Sequence, residues 1–278
     1  MRVALGTVVY QAAWPYKEEF IQSVNGQTEQ DFEVLIINDG IDEKEIEGFK
    51  SALQKKVTVV EAGKNSSISE IRKTLLTEAK RADIGLLVLS DFDDVFDRNR
   101  VEKSVLAVEN DVCIYYNNLK TFDGNVVFQH LPTQVKHYKD ILEHNFLGLS
   151  NTALKMDLID MDFIQELKEV KTNVFDWYLF SRLLVEGKRG KLVEGSYTYY
   201  RIVGNNIAGL TSQNSDAYKK ELKIKKEHYK LLSDRGNLFK ELYEVYQDLS
   251  PEQLLEKKEG SYLNHYLKGY WWELIKIY

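Results

Sequence analysis

Asp91, Asp93 and Asp94 crowd three carboxylates into four residues, directly after the apolar run Gly85-Leu86-Leu87-Val88-Leu89-Ser90. Asp91 and Asp93 flank a single residue, Phe92, so both side chains can turn toward one hard cation. Mg²⁺ or Mn²⁺ prefers such oxygen ligands and usually brings phosphates with it. A solvated acidic turn is the plain alternative. Asp39, in Asn38-Asp39-Gly40, can accept a hydrogen bond from the ring N–H of uracil or a similar base, although Asn, Asp and Gly also make ordinary turns. Lys64 and Arg72 bracket the start of a predicted helix whose free N–H groups favour an anion. Asp176 lies in Phe175-Asp176-Trp177-Tyr178-Leu179-Phe180, apolar nearly all round, where an ionised carboxylate needs partners or a task. With Asn173 as N-cap, however, Asp176 falls where a capping box puts an acid, and the helix dipole there would lower its pKa. Tyr199-Tyr200-Arg201-Ile202-Val203-Gly204-Asn205-Asn206 reads as a strand entering a loop that can offer N–H groups and amides to a diphosphate.

These side chains need elements to bring them together. Val3 to Tyr10, Glu33 to Ile37, Val57 to Glu61 and Gly85 to Ser90 are apolar or β-rich runs. They alternate with helical patterns over Glu18–Asn25, Glu43–Lys55 and a third helix capped by Ser66 or Ser67, with Ile68, Ile71, Leu75 and Ala79 on one face. That alternation predicts a doubly wound α/β fold with a mostly parallel sheet. In such sheets ligands bind beyond the carboxyl ends of the strands. Thr7, Val9 and Tyr10, then Asp39, then Asp91 to Asp93 would share that edge. A helix over Asn99–Val108, a strand Val112–Tyr116 and a hairpin turn at Phe122-Asp123-Gly124-Asn125 follow. Asn173–Gly187 should be helical, Lys191–Val193 and Ser196–Arg201 should be two strands, and the chain from Asp216 onward should be helical to its end. There Tyr262, Tyr266 and Tyr270 repeat at four-residue spacing beside Leu263, Leu267, Trp271 and Leu274. Such a stripe packs onto its own domain; a homodimer contact and a peripheral membrane contact are the alternatives.

The 278 residues are 44% hydrophobic and 29% charged, with net charge −6, which argues against nucleic acid as a partner. A single cysteine, Cys113, excludes an internal disulfide and suits a reducing compartment. No apolar run approaches a membrane span, and the N-terminus reads as a first strand, so the expected location is cytoplasmic.

Taken in order, the strand-end Asn-Asp-Gly, the Arg in the third helix, the Asp-x-Asp-Asp turn, the late Asp-Trp helix and the Tyr-Arg-x-x-Gly-Asn-Asn loop resemble the family 2 glycosyltransferases of GT-A fold. The resemblance covers roughly residues 1–210. It implies that Asp39 reads the nucleotide base, that Arg72 helps hold the nucleotide, that Asp91 lies near the ribose, and that Asp93 binds a divalent cation (Mn²⁺ or Mg²⁺) bridging the diphosphate. It implies Asp176 as catalytic base in inverting transfer from a nucleotide-diphosphate sugar to an acceptor hydroxyl of a carbohydrate or glycolipid. Thr7, Val9, Tyr10, Lys64, Phe92, Arg201, Asn205 and Asn206 would complete the donor site. Residues 1–215 would form the GT-A domain, with a nucleotide-binding half (1–95) and an acceptor and catalytic half (96–215), followed by a helical extension (216–278). Two departures stand out: Phe175 replaces the first acid of the family's pair before Trp, and Val203 replaces a His that often ligates the metal. The second departure keeps open a non-catalytic sugar-nucleotide-binding protein of the same fold.

Overall fold

The computed structural model describes residues 1–171, 174–202, 215–250, 253 and 267–277. Four strands, β1 (Val3–Tyr10), β2 (Glu33–Asp39), β3 (Val57–Glu61) and β4 (Leu86–Leu89), alternate with α1 (Lys17–Asn25), α2 (Glu43–Ala52) and α3 (Ile68–Arg81). All four strands run parallel, in the order β3-β2-β1-β4. Their apolar residues serve both faces, as a strand covered on two sides requires. Leu5, Val9, Val34, Ile36, Leu86 and Val88 pack with Phe20 and Val24 of α1 and Ile46 and Phe49 of α2. Ala4, Leu35, Ile37, Leu87 and Leu89 pack with Ile71, Leu75 and Ala79 of α3. Gly6 lets α3 settle onto β1, because a Cβ there would lie 2.8 Å from Leu87 and 3.1 Å from Leu75. Ser67 caps α3 in a reciprocal capping box with Glu70.

Beyond β4 strict alternation ends. β5 (Val95–Phe96), α4 (Arg100–Leu106), β6 (Ile114–Lys120), β7 (Gln134–Val135), β8 (Thr152–Lys155), α5 (Met161–Glu166), α6 (Phe175–Val185) and β9 (Gly190–Tyr199) complete the sheet and its covering layer. The order continues β4-β8-β6-β9-β5, with β7 on β9. β8 is antiparallel to both neighbours, so its N-terminal end meets the carboxyl ends of β1, β2 and β4 at one edge. The two strands expected over Lys191–Arg201 are one, bent where Gly195 takes φ +74°. The Asp-Gly turn reverses the chain around Gly124 (φ +90°), but its second arm supplies only the bridge Lys120–Val126.

Helices α7 (Ser215–Leu232) and α8 (Asn237–Asp248) pack together, and α7 covers α6. His228 of α7 stacks on Trp177 of α6 at 3.8 Å. The expected helix to the chain's end is corrected in its described part, since residues 267–277 are not helical. Gly269 (φ +81°) and Trp272 (φ +60°) break any helical path, and Trp271 instead exchanges two backbone hydrogen bonds with Asn145, each 2.8 Å. Tyr262 and Tyr266 lie outside the described residues. No helix among the described residues is long and apolar enough to cross a membrane.

Candidate active site

One cleft of about 420 Å³ opens at the carboxyl edge of β1, β2 and β4. Its walls follow the sheet order. Asp39 comes from the end of β2, Tyr10 from the end of β1, and Asp91, Asp93 and Asp94 from the turn after β4. Ser150 precedes β8, and Tyr200 and Arg201 follow β9. Arg72 reaches in from the first turns of α3 and Asp176 from the first turn of α6. Residues 137 positions apart in sequence, Asp39 and Asp176, therefore face one space.

Not every expected residue arrives there. Strand alternation sends Val8 and Tyr10 toward the cleft but turns Val9 into the opposite core layer. Thr7 is fully buried with no hydrogen-bond partner for Oγ1 among the described residues, and Lys64 is exposed; neither side chain lines the cleft. Phe92 touches the cleft but belongs mainly to an aromatic cluster, 4.8 Å from Phe20, 5.5 Å from Phe49 and 5.8 Å from Trp14. Asn205, Asn206 and Val203 lie outside the described residues.

The acidic turn is held rigidly. The Arg201 backbone N–H donates to Asp94 Oδ1 (2.8 Å) and its Nε to the Asp93 carbonyl (2.8 Å). Its guanidinium pairs with Glu19 at 2.7 Å and lies between the rings of Tyr16 and Phe122, at 4.1 and 4.4 Å. The Ser150 hydroxyl donates to the other oxygen of Asp94. Arg100 lies buried nearby and donates from Nη2 to the Leu89 carbonyl at 2.6 Å, closing the end of β4 from below. Asp94 is thus a structural pin, while Asp91 and Asp93 face the cleft; Arg72 approaches Asp91 at 3.9 Å.

Crowding shapes the charges. Burial, then the neighbouring Asp91, pushes Asp93 up to about 6, against the pull of Arg201 and Arg72. Asp94 is raised well above the usual carboxylate range, first by burial and then by Asp93 and Asp91. Asp176 rises to about 6 because burial outweighs the pull of Arg72 and the Trp177 N–H, which donates to its Oδ1 at 2.8 Å. The expected dipole-lowered value is therefore corrected by desolvation. So is the capping box: the cap residue is Val174, which offers no side-chain bond, and Asn173 lies outside the described residues.

A hard-donor pair such as Asp91 and Asp93, destabilised by mutual repulsion, fits a divalent cation, which typically takes one or two carboxylates and completes its shell with phosphates and water. Among the described residues no cluster of three side-chain ligands is present.

The sequence reading missed two features. Asp94 was indistinguishable from its neighbours until Ser150 and Arg201 came to it. Trp271, read as part of a helical stripe, and Trp272, to which no role was given, both line the cleft. The adjacent Trp pair in a Gly-Tyr-Trp-Trp-Glu stretch was the available signal.

Comparison with known proteins agrees with this architecture. The S. aureus TarS fragment 1–349, in complex with UDP-GlcNAc, superposes with a TM-score of 0.61 at 15% identity, covering 84% of this chain and 71% of that one. The mannosyltransferase PcManGT from Pyrobaculum calidifontis, in complex with GDP-Man and Mn²⁺, gives a TM-score of 0.55 at 15% identity over 92% of this chain and 70% of that one. These likenesses show the GT-A fold. No curated protein sequence matches the chain. The family model described as glycosyl transferase family 2 matches residues 5–162, more than half of the length, and the chain belongs to that family.

Proposed function

We propose that the protein transfers a sugar, with inversion, from a nucleotide-diphosphate sugar, a UDP-sugar being favoured, to an acceptor hydroxyl. The observation that carries this reading is the meeting of Asp39, the Asp91–Asp93 pair and Asp176 around one cleft, with Asp176 raised to about 6. Neighbours of the same fold have UDP-GlcNAc, or GDP-Man with Mn²⁺, bound, which supports a nucleotide sugar as donor.

In this reading Asp39 accepts the base N–H, and Arg72 and Arg201 offset phosphate charge. When bound at Asp93 with Asp91, a divalent cation supplies Lewis-acid stabilisation to the departing diphosphate. The Asp176 carboxylate takes the proton of the acceptor hydroxyl. That oxygen forms the new bond to the anomeric carbon while the carbon–oxygen bond to phosphate breaks, its electron pair leaving with the nucleoside diphosphate. A base poised near 6 is ionised at neutral pH yet more basic than an ordinary aspartate, which suits general-base catalysis. The acceptor is a carbohydrate or glycolipid of cell-surface polymer synthesis, met in the cytoplasm or at the inner membrane face, where a homodimer or a peripheral contact through α7 and α8 would bring it.

Replacing Asp176 by Asn tests the assignment. Calorimetric affinity for UDP-sugars with Mn²⁺ should stay within twofold of wild type while transfer falls roughly 10²–10⁴-fold. Undiminished transfer removes Asp176 from the mechanism. Donor binding without any turnover by the wild type, with acceptors offered, would favour a non-catalytic sugar-nucleotide-binding protein.

A further inference from the structure

The wall formed by Trp271 and Trp272 has no role in donor binding as described above. Both indoles are more than nine-tenths buried, yet both line the cleft. Trp272 also holds φ +60°, a left-handed conformation that a bulky side chain rarely adopts. Such a conformation persists only where the surroundings over-determine it. Here they do. The Glu273 carboxylate accepts the N–H groups of Lys268 (3.1 Å), Gly269 (2.6 Å) and Tyr270 (2.9 Å). Trp271 is tied to Asn145 on its other side, and the N–H groups of Leu274 (3.1 Å) and Ile275 (2.8 Å) end on the buried Glu221. Seven backbone bonds therefore fix the strap on either side of one strained residue whose side chain faces the cleft.

The position of the strap along the sheet edge separates it from the nucleotide. Neighbouring strands lie about 4.8 Å apart, so β2, which carries Asp39, is about 14 Å from β8, three strands away. Trp271 packs against the segment just before β8: a Cβ on Gly148 would stand 2.5 Å from its Cη2. Its ring is also 5.1 Å from Phe128 and 6.2 Å from Tyr200. Trp271 thus stands beside Tyr200, in the cleft that Trp272 and Asp176 also line. The Tyr200 phenol is raised by burial and by the surrounding acids, so it stays protonated. An apolar aromatic wall beside a carboxylate and a phenol matches a pyranose, which has one face of C–H groups and a rim of hydroxyls. An acyl chain would leave the polar rim unpaired, and a peptide would leave the aromatic wall without a matching face.

The geometry points to Trp272, with Trp271 beside it in the chain, as the platform on which the acceptor's own pyranose ring stacks, so that the acceptor is recognised as a sugar. This inference rests on the glycosyltransferase reading and deepens it. The test uses the full chain with UDP, or GDP if UDP does not bind, and Mn²⁺, and a panel of methyl pyranosides of glucose, galactose, N-acetylglucosamine and mannose. Saturation-transfer NMR reads contact proton by proton, and calorimetry reads nucleotide affinity in parallel. Trp272→Gly is the informative variant, since glycine adopts φ +60° without strain and the strap keeps its path. Trp272→Phe keeps an aromatic face.

At least one pyranoside should receive saturation on the C–H protons of a single ring face. Its affinity should drop tenfold or more in Trp272→Gly and less than threefold in Trp272→Phe, with nucleotide affinity within twofold in both. Unchanged pyranoside binding in Trp272→Gly, or nucleotide binding with no pyranoside bound by wild type, overturns the platform alone. Failure of wild type to bind any nucleotide overturns the platform together with the reading beneath it.

Discussion

The two ends of the cleft are built differently. At the end proposed for the donor, Tyr10 and Asp39 close parallel strands whose backbones satisfy each other, and the Asp91–Asp94 turn follows the end of β4 directly. At the opposite end, the Gly148–Ser150 segment and the Trp271–Trp272 strap have little regular structure. They are fixed by buried charged side chains that serve backbone groups. Lys225 of α7 donates to the Glu143 carbonyl (2.7 Å) and to the Ile275 carbonyl, and pairs with Glu221 at 3.2 Å. The Tyr246 hydroxyl donates to the Glu143 carboxylate at 2.8 Å. The donor end thus exposes carboxylates that burden the fold, whereas the opposite end buries charges that the fold cannot lose singly.

Opposite signs of substitution follow. Lys225→Met would strand the buried Glu221 carboxylate and two carbonyls, and should destabilise the protein by about 3–5 kcal/mol in urea unfolding. An effect under 1 kcal/mol would mean that the strap is not held through Lys225. At the donor end Asp93→Asn should stabilise. The folded value of Asp93, about 6, lies above the ordinary 3.8, so the native state binds the proton more tightly than the unfolded chain. Stability is therefore lost as pH rises from about 4 to about 6 and stays lost above. Asn escapes that loss, by up to about 3 kcal/mol at pH 8 without divalent cation. The same variant should lose the Mn²⁺-dependent part of nucleotide affinity, read by calorimetry.

Gly148→Ala probes the seam between the regular sheet edge and the strap. The new methyl must move Trp271 or the backbone, at a cost of about 1–3 kcal/mol, with nucleotide affinity unchanged. Thermal unfolding and UDP titration together check this; a loss of UDP affinity would show that the two ends are not separable.

The same difference decided what the sequence could disclose. β1 to β4 and their helices were legible because each is a local pattern, apolar runs and one-faced helices; the cap of α3 was narrowed to Ser66 or Ser67, and Ser67 holds it. That Asp39, Arg72, Asp91 and Asp93 come to one edge was legible for the same reason, since each lies at the end of a readable element, and all four line the cleft. Val9 and Thr7 were placed in the site by proximity to a strand end, though strand alternation alone assigns them to the opposite face from Val8 and Tyr10. The strap was not legible. Its aromatic spacing suits a helix, and what overrides that spacing is a set of bonds to Asn145 and Glu221, more than 50 residues away in the chain. The raised value of Asp176 was equally hidden, because a first-turn acid ordinarily gains from the dipole and only tertiary burial reverses the sign.

One coupling crosses between the two ends and gives the smallest predicted effect. Arg72 belongs to the donor end, yet it is the main charge holding Asp176 down, while Asp91 pushes it up. Because the base must be ionised, transfer at saturating donor should be half-maximal near pH 6 and fall about tenfold per unit below that. Arg72→Gln removes the downward pull, so the acidic limb should move to higher pH by less than about one unit, equivalent to under about 1.4 kcal/mol. Asp91→Asn removes the upward push and should move the limb the other way. Rate profiles measured between pH 5 and 8 for the three proteins would show limbs on either side of wild type. Two shifts of the same sign, or none, would mean that the charges at the donor end do not set the basicity of Asp176.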